Sequence, residues 1–351
     1  MVFIATCSQD RTSDLLLPRL APAGVFRFDI DRFRDYVWDF SPAGFRVVAP
    51  DGAEISDRTL SAFYLRKPMF LDAIDVPRGG CPENWCREEV RDVFEGLYRE
   101  CAAQGFCALV RPARGGPWRK LRQMRLAARF FHVPEWHLCC GAPSEAAPGG
   151  GWVFKTLTQT PIGPGVYPFV RDADPAALSP RYPWFLQRKV AGGEETTVVF
   201  VRGRSFAFRL RPSAGAPVDS RIVSARSPDD WEPVGLAPNE LAAVRGFMAE
   251  SDHDFGRFDF LRRNGRLVFL EMNPNGQFAW LDPDGYRGLL DAVASEILAV
   301  ARSGRRLDWR GFPSGPVDGP ARQDPGHRSA DKIEADAPAG RRVHPEAVRA
   351  R

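Results

Sequence analysis

The sequence predicts an α/β domain at the N-terminus, followed by an α+β region with a largely antiparallel C-terminal sheet. First, the buried-strand pattern VFIATCS is separated from a second strand pattern, VFRFDID, by a segment that fits a helix. Second, the segments GWVFKTL, WFLQRKV, TTVVFVRGRSFAFRL and RFDFLRRNGRLVFLEMN are apolar and joined by short polar turns, which is typical of antiparallel strands. Third, GYRGLLDAVASEILAVARSG has the apolar period of a helix that closes a fold.

The remaining elements divide the chain into four parts. RVVAP and AFYLRKP add strands to the N-terminal domain, and REEVRDVFEGLYRECAAQG predicts an amphipathic helix with Val90, Phe94, Leu97 and Cys101 on one face. We place this domain at residues 1–113, a central lobe with a helix over 120–131 at 114–190, and a C-terminal lobe at 191–312. The tail 313–351 has no Phe, Trp or Tyr and is predicted to be disordered.

Composition favours a globular cytoplasmic protein. Apolar residues make up 44% of the 351 residues and charged residues 26%, which is ordinary for a soluble domain. The net charge of +4 does not indicate a nucleic-acid partner. The start MVFIATCSQD has no basic leader, and no run of 18 apolar residues occurs, so no membrane partner is expected. The seven cysteines have no regular spacing and are interpreted as free thiols.

The last predicted hairpin places acidic and amide side chains together. Asn264-Gly265 is a strong turn signal between RFDFL, which contains Asp259, and RLVFLEMN. A period of two predicts one face that carries Leu267, Phe269, Glu271 and Asn273. A strict two-residue turn would pair Asp259 with Leu270, whereas a longer loop or a bulge would pair it with Glu271. We predict the second register.

Two interpretations of these three residues remain open. Two carboxylates and an amide oxygen on adjacent strands form an oxygen-only site, which suits Mg²⁺ bound together with nucleotide phosphates. Alternatively, Glu271 and Asn273 cap the Pro-Gly turn that follows, and Asp259 pairs with an arginine.

At these positions the sequence resembles the ATP-grasp ligases. That family carries an acidic residue on one strand and Glu-x-Asn on the next as its magnesium ligands, as do Asp259, Glu271 and Asn273. The longer FLEMNPNGQFAWL is most similar to the graspetide synthetases, the ATP-grasp maturases of ribosomal peptides, and the similarity runs from residue 1 to about 302. The resemblance implies an ATP-grasp fold with an N-terminal pre-ATP-grasp domain.

The resemblance also implies nucleotide-binding residues. Lys155 in VFKTL and Lys120 in WRKLRQMR match lysines that contact nucleotide phosphates; the alternatives are a solvated charge on an edge strand for Lys155 and a solvent-facing basic residue for Lys120. Gln187 and Val190 in QRKV match the hinge segment at the adenine edge. Glu195 matches the acidic residue near the ribose or phosphates, with Glu194 as an equal candidate; the alternative is that both are exposed acidic residues of a turn. The segment Thr196, Thr197, Val198 follows where the family often has an arginine.

Further positions match the family's reaction centre. Asp219 and Arg221 in DSR resemble its Asp-x-Arg element and, with Lys155, are the candidate catalytic residues; a surface ion pair is the alternative for the first two. TQTPIGPGVYPF lies where the family has a phosphate-covering loop, in which Gly163 and Gly165 would allow close backbone approach, unless the segment is a rigid connector.

The implied function is a ligase reaction with ATP and Mg²⁺. A substrate Asp or Glu carboxylate of a ribosomal precursor peptide, with leader and core, would form an acyl phosphate that a Ser, Thr or Lys side chain attacks. Arg66 and Lys67 in YLRKP are candidates to meet an acidic peptide, unless they belong to a turn. The alternatives are a ligase that adds an amino acid to a protein tail or small molecule, and a non-catalytic nucleotide- and peptide-binding module. The oligomeric state is open, with a homodimer as one candidate.

Overall fold

The computed structural model describes residues 1–67, 83–112, 119–141, 151–157, 170–210 and 228–311. All of them belong to one compact unit, Met1–Gly311. Its helices are α1 Arg11–Leu20, α2 Glu83–Ala103, α3 Lys120–Ala127, α4 Pro238–Ser251 and α5 Leu289–Ala301. Its strands are β1 Val2–Thr6, β2 Val25–Asp29, β3 Val37–Ser41, β4 Gly44–Val48, β5 Glu54–Ser56, β6 Ala62–Leu65, β7 Trp136–Cys140, β8 Trp152–Lys155, β9 Arg171–Ala173, β10 Pro183–Arg188, β11 Glu194–Val201, β12 Arg204–Leu210, β13 Trp231–Val234, β14 Phe255–Arg263 and β15 Arg266–Asn273.

These strands form four sheets, and their directions confirm the predicted fold class. The N-terminal sheet, β2-β1-β6, is parallel and is accompanied by an antiparallel sheet β3-β4-β5. A four-stranded antiparallel sheet has the order β7-β10-β8-β9, and a five-stranded antiparallel sheet has the order β13-β12-β11-β14-β15. The chain is therefore α/β at its start and largely antiparallel toward its end.

In the N-terminal region the predicted helices α1 and α2 form. Asp10 caps α1, its carboxylate accepting a hydrogen bond from the Ser13 amide at 3.1 Å, which satisfies one of the free amides of the first turn. On α2 the predicted apolar residues Phe94 and Leu97 are 3% exposed and pack against the aromatic cluster around Phe28. Helix α1 also packs against α5, so the C-terminal helix returns to the N-terminal sheet.

The five-stranded sheet is covered on both faces. One face carries Val198, Phe258 and Phe269, which are buried under residues of α3 and α4 such as Met124 and Phe247. The opposite face carries another buried set, which includes Val199, Val201, Phe208 and Phe255 and packs with residues of α1, β6 and α5. This second face is apolar around Val201 and Phe255 and becomes polar at Arg257, Asp259 and Glu271, where β15 approaches its end and where the candidate site lies.

A bulge sets the register of the last hairpin. Asn264 and Gly265 have φ angles of 50° and 74°, as a type I′ turn requires, and Arg263 pairs with Arg266 across it. The register then shifts between Asp259 and Phe260, so that Asp259 pairs with Glu271 as predicted. The prediction that one face carries Leu267, Phe269, Glu271 and Asn273 is wrong: Leu267 and Phe269 share the buried cluster of Met272, because the extra residue reverses the alternation beyond the bulge.

Two smaller predictions concern the cysteines and membranes. Cys7, Cys101, Cys107, Cys139 and Cys140 are free thiols, as expected from the cysteine spacing. In the described parts of the chain, none of the helices combines the length and the apolar character needed to cross a bilayer.

Candidate active site

The predicted metal ligands lie on one face of the β14–β15 hairpin. Asp259 is directly opposite Glu271, and Arg257 is opposite Asn273. Paired residues of antiparallel strands point to the same side, and residues two apart on a strand do so as well. All four side chains therefore occupy the face opposite Phe258 and Met272, at the end of the sheet where β15 stops.

Glu271 is held ionised by a lysine from another element. Lys120, the first residue of α3, donates from Nζ to Glu271 Oε2 at 3.0 Å, and its side chain is 12% exposed. The Lys120 ammonium lowers the pKa of Glu271 to about 2, against the effect of burial, and Lys155 and Arg257 act in the same direction. Two candidate phosphate-binding lysines therefore lie in the electrostatic neighbourhood of a candidate metal ligand.

Asp259 and Asn273 also have protein partners. Arg257 donates to Asp259 Oδ2 at 2.7 Å, and the Thr197 hydroxyl of β11 lies 3.2 Å from Asp259 Oδ1. Asn273 Oδ1 accepts from the Asn275 amide at 3.0 Å, closing the turn after β15. These contacts are those expected without a metal, in which Asp259 pairs with an arginine and Asn273 caps the turn that follows β15. They do not exclude a metal, because carboxylate and amide oxygens have further lone pairs.

The donor set fits Mg²⁺. Asp259, Glu271 and Asn273 offer hard oxygens from one face, and the two carboxylates face each other across the ladder. Among the described residues no group of three His, Cys, Asp or Glu side chains could hold a metal, and the third oxygen of this candidate set is the amide oxygen of Asn273. Such a set, with few protein ligands, suits a cation that keeps waters and binds phosphate oxygens.

The four-stranded sheet contributes the predicted nucleotide-binding residues. Lys155 pairs with Phe185 and Val153 with Gln187, so Lys155, Phe185 and Gln187 share a face. Lys120 Nζ lies 5.6 Å from the centre of the Phe185 ring, which brings this face toward α3 and Glu271.

Gln187 is 1% exposed, and its Nε2 has no hydrogen-bond partner among the described residues. An unpaired buried donor is costly, so a ligand acceptor there would stabilise it. Val190 follows β10 and is half-buried.

The strand register separates Glu195 from Glu194. Thr197 is opposite Asp259 and Glu195 is opposite Leu261, so Glu195 lies on the face of Asp259. Glu194 lies on the other face and forms an ion pair with Arg209 at 3.5 Å. Of the two acidic candidates, the geometry therefore favours Glu195.

Arg66 is part of the fold, and its suggested contact with an acidic peptide is wrong. The residue is fully buried, and Nη1 donates to the Asn275 carbonyl at 2.9 Å, to Asn275 Oδ1 at 2.7 Å and to the Gly276 carbonyl at 3.1 Å. Its Nε lies 3.7 Å from Asp10. Lys67 is half-buried with a φ of 42°, and burial with neighbouring Arg66 and Arg257 lowers its pKa to about 8.

Some predicted residues lie outside the described ranges. These are Asp219, Arg221, Gly163 and Gly165, together with the tail 313–351.

Sequence reasoning missed three residues that contact the site. Arg257 and Thr197 bind Asp259, and Gln123 of α3 binds the backbone of Met272. The period of two could have indicated Arg257, which stands two residues before Asp259 on its face. Gln123 follows Lys120 by three residues, so helical spacing places both on one side of α3.

Comparisons with known proteins identify the fold. No family model and no curated protein sequence matches the chain. The structure is similar to macrocyclase MdnC of Microcystis aeruginosa MRC bound with precursor peptide MdnA, with 21% identity, a TM-score of 0.69, and 85% of this chain and 99% of that chain covered. It is also similar to a RiPP-associated ATP-grasp ligase of Chryseobacterium gregarium in complex with ADP and a leader and core peptide, at 19% identity and a TM-score of 0.70 over 88% and 98% of the chains. A third match is ATP-grasp ligase PsnB with a phosphomimetic precursor variant, Mg and ADP, at 15% identity and a TM-score of 0.61 over 86% and 98%. This chain has the fold of the ATP-grasp ligases.

Proposed function

We propose that the protein is an ATP-dependent carboxylate ligase of the graspetide-synthetase type, which forms side-chain ester or amide links in a ribosomal precursor peptide. The observation that carries the proposal is the shared face of Asp259, Glu271 and Asn273, next to Lys120 and Lys155. Oxygen ligands and phosphate-binding cations at one strand end are what phosphoryl transfer from a Mg²⁺-bound nucleotide requires.

The residues have separate roles in this reaction. A substrate carboxylate attacks the γ-phosphate of ATP, giving ADP and an acyl phosphate, and an alcohol or amine then displaces phosphate. Asp259, Glu271 and Asn273 would hold Mg²⁺, which offsets phosphate charge when bound. Lys120 and Lys155 bind and orient the phosphates, and the main catalytic contribution of the chain is positioning and charge stabilisation.

Other residues would bind the nucleotide and the reacting groups. Gln187 and the backbone near Val190 bind the adenine edge, and the orphaned Gln187 Nε2 supports this role. Glu195 binds near the ribose or phosphates, which its position on the face of Asp259 supports. Asp219 and Arg221 act at the reaction centre by resemblance, with the arginine stabilising the phosphate charge that develops.

The peptide substrate is inferred from the structural neighbours. The MdnC and Chryseobacterium structures contain precursor peptides, and the latter also contains ADP. We infer that this chain also takes a precursor peptide and that it activates Asp or Glu side chains of that peptide.

The test is ADP production with a precursor peptide that is encoded beside the gene and is rich in Thr, Ser, Asp and Glu. With Mg²⁺ and ATP we expect ADP and a peptide lighter by one water for each link. Glu271→Gln should abolish both because it removes a charged metal ligand. Glu194→Gln should retain both, because Glu194 lies on β11 on the face opposite Asp259 and pairs with Arg209. An unchanged peptide with intact ATP would refute the proposal.

The same assay separates the alternatives. A ligase that adds an amino acid to a protein tail or small molecule gives a heavier product. A non-catalytic module binds nucleotide or peptide and forms no ADP, and Glu271→Gln then has no turnover to remove.

A further inference from the structure

Strand β15 carries two of the three candidate metal ligands and lies at the edge of its sheet. Within the described residues it pairs with β14 on one side, so the backbone groups on its other side need partners from elsewhere. The Phe269 amide donates to the His132 carbonyl at 2.8 Å. At Met272 the partner is a side chain, that of Gln123.

The Gln123 amide pairs with both backbone groups of Met272. Its Nε2 donates to the Met272 carbonyl at 2.6 Å, and its Oε1 accepts from the Met272 amide at 3.2 Å. Gln123 is 5% exposed, so these bonds are made away from water. A planar amide with one donor and one acceptor side by side is suited to this pairing; a carboxylate lacks the donor and an apolar side chain lacks both.

Met272 stands between Glu271 and Asn273. Its amide belongs to the peptide plane shared with Glu271, and its carbonyl belongs to the plane shared with Asn273. When both groups are fixed, the backbone orientation on each side of Met272 is fixed, and with it the direction in which the two ligand side chains leave the strand. One turn earlier on α3, Lys120 contacts Glu271 itself.

We propose that Gln123 is a positioning residue of the metal site, which holds Glu271 and Asn273 in the geometry that the cation requires. The inference rests on the proposed function, since it concerns the Mg²⁺ ligands of that site. Residues that orient metal ligands without touching the metal commonly change metal affinity by about tenfold or more.

The experiment makes two measurements on the full chain. Mn²⁺ binding in the presence of ADP is followed by the loss of the electron paramagnetic resonance signal of free Mn²⁺. Metal-free ADP binding is measured by calorimetry in excess chelator. Gln123→Met removes both bonds to Met272, and Gln123→Glu keeps the shape and the acceptor but removes the donor. Phe131→Leu is the control, because the Phe131 ring stacks on Phe269 against the same buried cluster, whereas Gln123 bonds to the backbone of Met272. Urea denaturation reports the stability of each variant.

We expect Gln123→Met to weaken Mn²⁺ binding about tenfold or more and to leave metal-free ADP binding within about twofold of the wild type. Gln123→Glu should also weaken Mn²⁺ binding, because its carboxylate would face the Met272 carbonyl, and Phe131→Leu should stay close to the wild type. If Gln123→Met and Gln123→Glu bind Mn²⁺ as the wild type does, the positioning role is refuted and the proposed function stands. The role is also refuted if Phe131→Leu weakens Mn²⁺ binding as much as Gln123→Met, since lost stability then explains both. If the wild type with ADP binds no Mn²⁺, the proposed function fails, and this inference fails with it.

Discussion

Replacing Lys120 by methionine tests the electrostatics of the site. Lys120 Nζ is 3.0 Å from Glu271 Oε2 and is the main reason that the pKa of Glu271 falls from 4.5 to about 2. A difference of this size corresponds to about 3 kcal/mol. The Glu271 side chain is 33% exposed, so we reduce this figure for solvent screening to about 1 to 2 kcal/mol.

The sign of the pH dependence follows from the depressed pKa. The stabilisation is fully present above pH 4.5, where Glu271 is ionised in both folded and unfolded chains, and it is lost as the pH falls toward 2. In Lys120→Met the pKa of Glu271 rises toward its ordinary value, so most of this contribution disappears. The variant should be about 1 to 2 kcal/mol less stable than the wild type at pH 7, and the difference should shrink by about 1 kcal/mol at pH 3.

The assay is urea denaturation of both proteins at pH 7 and pH 3. Removing a cation from the start of α3 also relieves an unfavourable interaction with the helix dipole, but this gain does not depend on pH and cancels in the comparison. Lys189→Met is the matched control, because Lys189 pairs with the exposed Asp172 at the surface and should give a small difference that is similar at both pH values. A difference between wild type and Lys120→Met that is the same at pH 7 and pH 3 would refute the reasoning.

Three further predictions concern the scaffold of the site. Phe269→Ala should cost about 4 kcal/mol in urea denaturation, because the ring is fully buried between α4 and the sheet; a loss below about 1 kcal/mol would contradict this packing. Gly276→Ala should weaken binding of Mn²⁺ with ADP in calorimetry, because the new Cβ would lie 2.6 Å from Cβ of Arg257; unchanged affinity would show that the turn adapts. Arg66→Lys should cost about 2 kcal/mol in thermal or urea unfolding, because the single nitrogen of a lysine cannot bond Asn275 and Gly276 and also replace the Nη2 bond to Thr12 and the Nε contact with Asp10; a neutral result would contradict the strength of these contacts.

The sequence predicted elements well where local signals agreed. The Asn-Gly turn and the clustering of Asp259 with Glu271 were enough to choose the correct register, because a turn position and a pairing requirement together imply a bulge. The same reasoning failed on the faces of β15, since a strict period of two carries no information about where the extra residue lies. Helix α4 was not predicted, although Pro238 at its first position and Glu240 bonding back to the Ala237 amide are recognisable start signals.

Long-range contacts account for what could not be predicted at the site. Arg66 lies in the charged segment Arg66-Lys67, a composition typical of an exposed surface, and it is buried against the turn at Asn275, 209 residues later in the chain. Gln123 sits in a basic helix, and its partner Met272 is 149 residues away. No local pattern encodes these pairings, because they arise when separate elements pack together. The pairing of β11 with β14 shows that Glu195, and not Glu194, shares a face with Asp259, and this pairing cannot be predicted from the segment GGEETT alone.

The most direct test of the account is the position of the metal in crystals grown with ADP and Mn²⁺. We predict an anomalous scattering peak within coordination distance, about 2 Å, of a side-chain oxygen of each of Asp259, Glu271 and Asn273, with nucleotide phosphate oxygens completing the coordination. A peak bound elsewhere, or nucleotide bound with no metal at these three side chains, would contradict the account.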